Sequence, residues 1–314
     1  MKKICSLIVA GFCFLVCMGS GLVYAGESYP LVIEHKSGSL KLAKTPARVV
    51  VMDFGMLDSI DELVQAGAVS SELKLALPKG NLPSYLAKYE SEEYLDVGGL
   101  KDFNLEIIFG FKPDLIIISG RQQDFYKELS SIAPVWQVDS LPSSYIEGVS
   151  GNIRNLGRIF SAEAAVEESL NRLGEEINSV RKKAAALDLN ALVLLTNDGK
   201  ISAYGSGSRF GIIHDALGLK EADRQIKVGI HGQLVNYEYI AQINPDIIFV
   251  VDRSIAVTGK ADGVRILDNE LVNGTNAAKN GRIVPLDPNV WYLSGGGLQS
   301  LRMMVRDIDD ALEK

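Results

Sequence analysis

Past its first 25 residues the chain has no cysteine: Cys5, Cys13 and Cys17 all lie in the opening stretch. Disulfides, thiolate metal sites and cysteine nucleophiles are thereby excluded from the rest. Histidine is nearly as scarce, three in 314 residues, and no two stand at the i,i+4 spacing of a zinc-binding helix. There is no G-x-S-x-G elbow, no P-loop, no H-E-x-x-H and no G-x-G-x-x-G after a strand. Gly295-Gly296-Gly297 before the last helical stretch is a weak anion-site signal by itself. Nothing here supports turnover, so the chain is not read as an enzyme. Positive charge is also in deficit: without Lys2 and Lys3, 30 basic residues face 39 acidic ones, a net charge of −9. That balance disfavours nucleic acid and anionic membranes as partners.

What is present begins with an export signal. Lys2 and Lys3 precede an apolar run from Ile4 to Val16, and Val23-Tyr24-Ala25 closes it as a small-residue cleavage site. The run is short for a membrane span and no second one follows. Cys17 follows Val16, whereas a lipoprotein signal needs a small residue there, so a soluble product is expected. About 289 residues remain after Ala25, which suits two domains better than one.

Leu31–Leu42 alternates apolar and polar residues around Lys36-Ser37-Gly38-Ser39, the pattern of a hairpin. Strands are expected at Arg48–Asp53, Leu115–Ser119 and Val135–Asp139, with helical patterns at Met56–Ala66 and Gln123–Ile132. Strands alternating with helices imply parallel βαβ units. From Ala162 to Leu187, apolar residues at Val166, Leu170, Leu173, Ile177, Val180, Ala184 and Leu187 follow a 4-3-4-3-4-3 spacing. That is one amphipathic helix about 39 Å long at ~1.5 Å per residue; a coiled-coil dimer is the competing reading. Strands resume at Ala191–Thr196, Ile201–Tyr204, Asp246–Val251 and Arg282–Leu286.

An internal repeat ties the halves together. Asn104–Arg121 (NLEIIFGFKPDLIIISGR) and Asn236–Arg253 (NYEYIAQINPDIIFVVDR) align without gaps over 18 positions with 7 identities. The fold class is therefore α/β, two Rossmann-like lobes joined by one long helix. Ligands of open α/β sheets bind beyond the carboxyl ends of strands, so Arg121 and Arg253 should face one cleft.

Among candidate ligands, His35 lies on the hairpin and is expected to be solvated, and His214 lies in a short helical stretch. His231 stands in the loop Gly229–Gly232 just before the second repeat copy; a loop histidine is a ligand or merely polar decoration. Tyr292 follows the last strand, where a buried packing tyrosine is the alternative. Trp291 beside it walls a pocket or fills the core. Arg209, in the polar loop GSGSR, joins Arg121 and Arg253 as a fixed charge with forked donors suited to oxyanions.

The two-lobe pattern, the paired PDLIIIS and PDIIFVV strands and the closing NVWYLSGGGLQSL segment resemble the periplasmic binding proteins of ABC importers for siderophores, haem and cobalamin. The resemblance spans nearly the whole mature chain and is strongest to the binding proteins for ferric catecholate siderophores, such as those of enterochelin and vibriobactin uptake. It implies the helical-backbone, class III fold, with lobes at 26–160 and 189–314 around a helix at 161–188, and a monomer in the periplasm. It further implies that His231 and Tyr292 ligate iron, that Arg121, Arg209 and Arg253 face the siderophore beside Trp291, and that no intrinsic cofactor is held. The expected ligand is a tetradentate bis-catecholate, which leaves two iron positions open; haem is the alternative. An inner-membrane permease and its ATPase are the implied partners, docked through an acidic residue on each lobe, for which Asp61 or Glu62 and Asp215 are the approximate counterparts.

Overall fold

The computed structural model describes residues 29–138, 145–227, 229, 231–259 and 266–313. The export signal with its three cysteines, and Asp139 of the expected Val135–Asp139 strand, lie outside the described residues. Strands β1 (Leu31–His35) and β2 (Gly38–Leu42) form the expected antiparallel hairpin, burying Leu31, Ile33, Leu40 and Leu42.

The first lobe is a parallel sheet of β3 (Arg48–Val51), β4 (Lys74–Leu77), β5 (Leu95–Asp96), β6 (Leu115–Ile118) and β7 (Val135–Gln137), in the order β5-β4-β3-β6-β7. Helices α1 (Phe54–Gln65), α2 (Leu105–Phe111) and α3 (Tyr126–Ser130) connect them. The stretch expected as one helix over Gln123–Ile132 is divided: a 3₁₀ segment at Gly120–Phe125, capped by Ser119, leads into α3. After α4 (Tyr145–Phe160), the long helix α5 runs Glu163–Leu187 and ends at left-handed Asp188. The second sheet holds β8 (Asn190–Asn197), β9 (Lys200–Tyr204), β10 (Lys220–Glu221), β11 (Gln233–Val235), β12 (Ile247–Asp252) and β13 (Ile283–Leu286). Its order is β11-β9-β8-β12-β13, with β10 beside β8 and with β9 antiparallel to both of its neighbours, β8 and β11. Helices α6 (Tyr237–Ile243), α7 (Arg253–Thr258), α8 (Glu270–Asn273), α9 (Asn276–Lys279) and α10 (Leu298–Ala311) complete the chain.

The repeat does identical structural work in both lobes. Asn104 and Asn236 cap α2 and α6 through their side-chain oxygens. Lys112 and Asn244 end those helices at φ of 52° and 49°. After the proline, Asp114 accepts the Ala47 and Arg48 amides at 3.0 Å, and Asp246 accepts the Asn190 amide at 3.2 Å. Each aspartate thereby stitches its turn to the start of that lobe's central strand.

The 4-3 stripe of α5 is filled within the chain, by α4 and α10, so its periodicity requires no coiled-coil partner. Although α10 follows the last strand of the second sheet, it packs on α1 of the first lobe as well as on α5. Leu298, Leu301, Met304, Val305 and Ile308 form the apolar face that draws it there.

Candidate functional site

Both sheets reverse strand order beside their central strand, and that is where the candidate residues converge. In the first lobe the switch lies between β3 and β6, with Asp53 past the end of β3 and Arg121 past the end of β6. In the second it lies between β8 and β12, with Asn197 ending β8 and Arg253 following β12. These are the crevice positions of open α/β sheets.

Tyr292 is the hub. It stands on a π-helical turn, Asn289–Ser294, a distortion often found at functional sites. Arg121 and Arg209 both donate to its backbone carbonyl at 2.9 Å. Arg253 donates Nε–H to its hydroxyl at 2.7 Å and Nη1–H to Asn197 Oδ1 at 2.7 Å. The guanidinium carbons of Arg209, Arg253 and Arg121 lie 4.4, 5.6 and 6.0 Å from the ring centroid. Burial by itself would raise this phenol. The Arg253 hydrogen bond and the charges of Arg253, Arg209 and Arg121 outweigh it and hold Tyr292 below the ordinary tyrosine value. The Arg209 guanidinium is lowered from its usual value, chiefly by burial and then by Arg121. A phenol biased toward phenolate is a hard, anionic oxygen donor.

Of the sequence-predicted residues, Arg121, Arg209, Arg253 and Tyr292 are therefore brought together. His231 is exposed, in a turn closed by Gly232 N–H to the Gly229 carbonyl at 3.1 Å. Its neighbour Gly232 lies on the Tyr204 ring, which a Cβ there would meet at 2.7 Å. Tyr204 packs edge-on against Phe210 at 4.9 Å, and burial raises its phenol against the opposing charge of Arg209. His231 is thus not among the residues that the hydrogen bonds around Tyr292 bring together. No group of three or more His, Cys, Asp or Glu positioned to hold a metal is found among the described residues.

Other expectations need correction. Trp291 does not wall the cleft: it is 2% exposed, donates its indole N–H to Asp307 at 2.8 Å and packs near Phe210. One residue along the π-turn is enough to send Trp291 into the core while Tyr292 meets the arginines. Asp61 is no surface docking group; it is 3% exposed, accepts from Tyr89, Gln65 and Gln299, and is paired with Lys88. Glu62 is half-buried, paired with Arg302 and bonded by Ser169. Asp215 is exposed, but its carboxylate accepts the Gly207 amide at 2.8 Å. His35 packs edge-on against Tyr126 at 5.7 Å rather than standing in solvent. His214 is a core residue whose Nδ1 lies 3.0 Å from the Leu219 carbonyl.

The glycine run before α10 does receive an anion, but it is the protein's own. Asp58 of α1 accepts the Ser300 and Gln299 amides at 3.0 and 3.2 Å, together with the Tyr85 hydroxyl at 2.9 Å. Burial pushes this carboxyl up to about 7 against the pull of those hydrogen bonds.

Asn197 and Asp53 were not visible as site residues in the sequence. Their signal is positional, since Asn197 ends one central strand and Asp53 lies just past the other, yet the repeat begins only at α2 and does not reach them. Glu106 and Glu238 carried a stronger signal. They are an identity of the repeat, and both are exposed in the first turns of α2 and α6.

Residues 59–290 match the periplasmic binding protein family. The petrobactin-binding protein of Bacillus subtilis is 43% identical over 90% of this chain and 89% of its own; its crystal structure superposes with a TM-score of 0.86, covering 90% and 99% of the two chains. The periplasmic catecholate-siderophore binding protein of Vibrio cholerae is 34% identical at a TM-score of 0.80, covering 89% and 99%. The iron uptake ABC transporter substrate-binding protein of Streptococcus pneumoniae is likewise 34% identical at 0.80, covering 90% and 98%. The α/β fold with parallel sheets and a long connecting helix is that of these neighbours. No helix among the described residues is long and apolar enough to cross a membrane.

Proposed function

Because the chain belongs to the periplasmic binding protein family, we propose that it is the extracytoplasmic receptor of an ABC importer for a ferric catecholate siderophore, exported by residues 1–25. The observation that carries this reading is the convergence of three guanidiniums, one from the first lobe and two from the second, on a tyrosine whose phenol they bias toward the anion. Each guanidinium has five N–H donors. Among the described residues the cluster uses one on Arg121, one on Arg209 and two on Arg253. The remainder supply charge-assisted hydrogen bonds to catecholate oxygens, each worth about 1.5–3 kcal/mol. Two catecholates bring four negative charges against three on ferric iron, so the complex is an anion and suits a cationic pocket in an acidic protein. Tyr292 and His231 fill the two iron positions that a tetradentate bis-catecholate leaves open, phenolate as a hard donor and imidazole as a neutral one. The names of the relatives, petrobactin and catecholate siderophore among them, support an iron chelate as ligand and favour it over haem.

Docking on the permease is assigned to Glu106 and Glu238. A helix that leads into a parallel strand runs antiparallel to it, so the first turns of α2 and α6 lie toward the strand ends that form the cleft. One exposed glutamate per lobe then flanks the cleft mouth.

The test is a fluorescence-quenching titration, with Trp136 and Trp291 as reporters, against a ferric bis-catecholate, a ferric hydroxamate and haem. A saturable one-to-one complex with the bis-catecholate is expected, with a phenolate-to-iron charge-transfer band that Tyr292→Phe removes. A Soret band with tight haem binding and no catecholate complex would overturn the reading.

A further inference from the structure

Two of the three site arginines are held by secondary structure, and the third is not. Arg121 lies in the capped 3₁₀ segment that follows β6, and Arg253 opens α7 directly after β12. Arg209 is carried by Gly205-Ser206-Gly207-Ser208, the composition with the most conformational freedom to lose on ordering. Yet its guanidinium reaches the Tyr292 carbonyl at 2.9 Å and lies nearest the ring of the three, at 4.4 Å.

The bracing comes from two carboxylates outside the cluster. Glu221, on β10, accepts the Ser206 amide at 2.7 Å, and Asp215, on the π-turn Ile212–Ala216, accepts the Gly207 amide at 2.8 Å. Bonds this short from amide to carboxylate are the charge-assisted kind. A Cβ on residue 205 would meet Glu221 Oε1 at 2.7 Å, so the glycine there lets the carboxylate approach the backbone. Turn bonds from Ser208 to Gly205 at 3.3 Å and from Gly211 to Ser208 at 2.9 Å then close the loop. Phe210, buried between Tyr204 and Trp291, anchors its far end.

We propose that Asp215 and Glu221 are positioning residues for ligand capture, holding the 205–209 loop so that Arg209 is fixed over Tyr292 before any ligand arrives. The assignment rests on the siderophore reading for its benefit to affinity, but the brace itself is a property of the ligand-free protein. Asp215 thereby acquires a role inside its own lobe.

Two measurements test it. Hydrogen exchange on the ligand-free protein should speed up across residues 205–211 in Asp215→Ala and Glu221→Ala, and stay near the wild-type rate in Asp215→Asn and Glu221→Gln, whose amide oxygens still accept. Unchanged exchange in both alanine variants would overturn the brace whatever the protein binds. In titrations with a ferric bis-catecholate, each alanine variant should lose about tenfold in affinity, the worth of one hydrogen bond to a charged group, and the Asn and Gln variants should recover it. In an Arg209→Ala background the same alanine changes should cost no more than about twofold, because they act through Arg209. Additive losses in that background would sink the positioning role. Failure of the wild type to bind any ferric catecholate would count against the siderophore reading and leave the exchange result to decide the brace.

Discussion

Arg253→Lys is the most discriminating single change at this site, because it keeps the charge and removes the fork. Arg253 spans two acceptors at once, Nε to the Tyr292 hydroxyl and Nη1 to Asn197 Oδ1, both at 2.7 Å. An ammonium on a flexible stem presents its donors from one point and cannot hold both in that planar geometry. Losing the fork leaves the site less ordered before the chelate arrives, and restoring that order on binding costs up to about one charge-assisted bond, 1.5–3 kcal/mol or roughly 10- to 150-fold in affinity. The retained charge still attracts the anionic chelate, so the lysine variant should fall near the lower end of that range. Arg253→Ala should fall further, because it also removes the charge and the hydrogen bond that bias the Tyr292 phenol toward its anion. Ionic strength separates the two effects. Salt screens the charge lost in the alanine variant but not the geometry lost in the lysine variant. The ratio of wild-type to lysine-variant affinity should therefore stay level between low and high salt, while the wild-type to alanine ratio shrinks. Fluorescence-quenching titrations with a ferric bis-catecholate at both salt levels measure this. A lysine variant within about twofold of wild type would refute the forked-clamp argument.

Two further outcomes are expected. The Asp58 carboxyl is raised from 3.8 to about 7, first by burial, so the folded state binds its proton more tightly than the unfolded chain. Its contribution to stability is then fully present below about pH 4 and is lost as pH rises towards 7, by up to roughly 4 kcal/mol over that window. Thermal melts across this range should show wild type losing stability relative to Asp58→Asn; a pH-independent difference would contradict it. Glu106→Ala and Glu238→Ala should leave siderophore titrations unchanged while lowering iron uptake in cells that depend on this protein, and combining them should lower it most. Normal uptake by the double variant would remove these glutamates from the docking surface.

The parts of the fold that announce themselves by period were legible in the sequence. The alternating hairpin, the 4-3 stripe of α5 and the repeated helix–Pro-Asp–strand unit each depend on neighbours a few residues away. The return of α10 to the first lobe depends on a surface contributed by α1, some 240 positions earlier, and no local pattern encodes it. The site divides in the same way. Arg121 and Arg253 could be paired because the repeat fixes both at strand ends. Trp291 could not be distinguished from a cleft residue, because adjacent positions on a π-turn send Trp291 into the core and Tyr292 to the arginines. Asp61 and Glu62 looked like surface acids by residue type, whereas α1 is buried on nearly every side and its acids are consumed by internal partners. The repeat instead places an exposed glutamate at equivalent positions in the first turns of α2 and α6, and these are the docking residues proposed above.

The same convergence bears on how the lobes move. Arg121 belongs to the first lobe, yet its hydrogen bond goes to the carbonyl of Tyr292, beyond the last strand of the second, where Arg209 bonds the same atom. The lobes are also joined by α5 and by α10, whose first turn is capped by Asp58 of the first lobe. Wide hinge opening would have to break the Arg121 bond and strip a buried helix cap together. Packed interfaces of this kind favour small shear or local loop adjustment over large rotation. Among the described residues, the exposed His231 and the guanidinium donors not engaged at Tyr292 or Asn197 remain available to a chelate. Under the siderophore reading proposed above, His231 would be the second protein ligand, meeting an iron at a cluster already assembled around Tyr292.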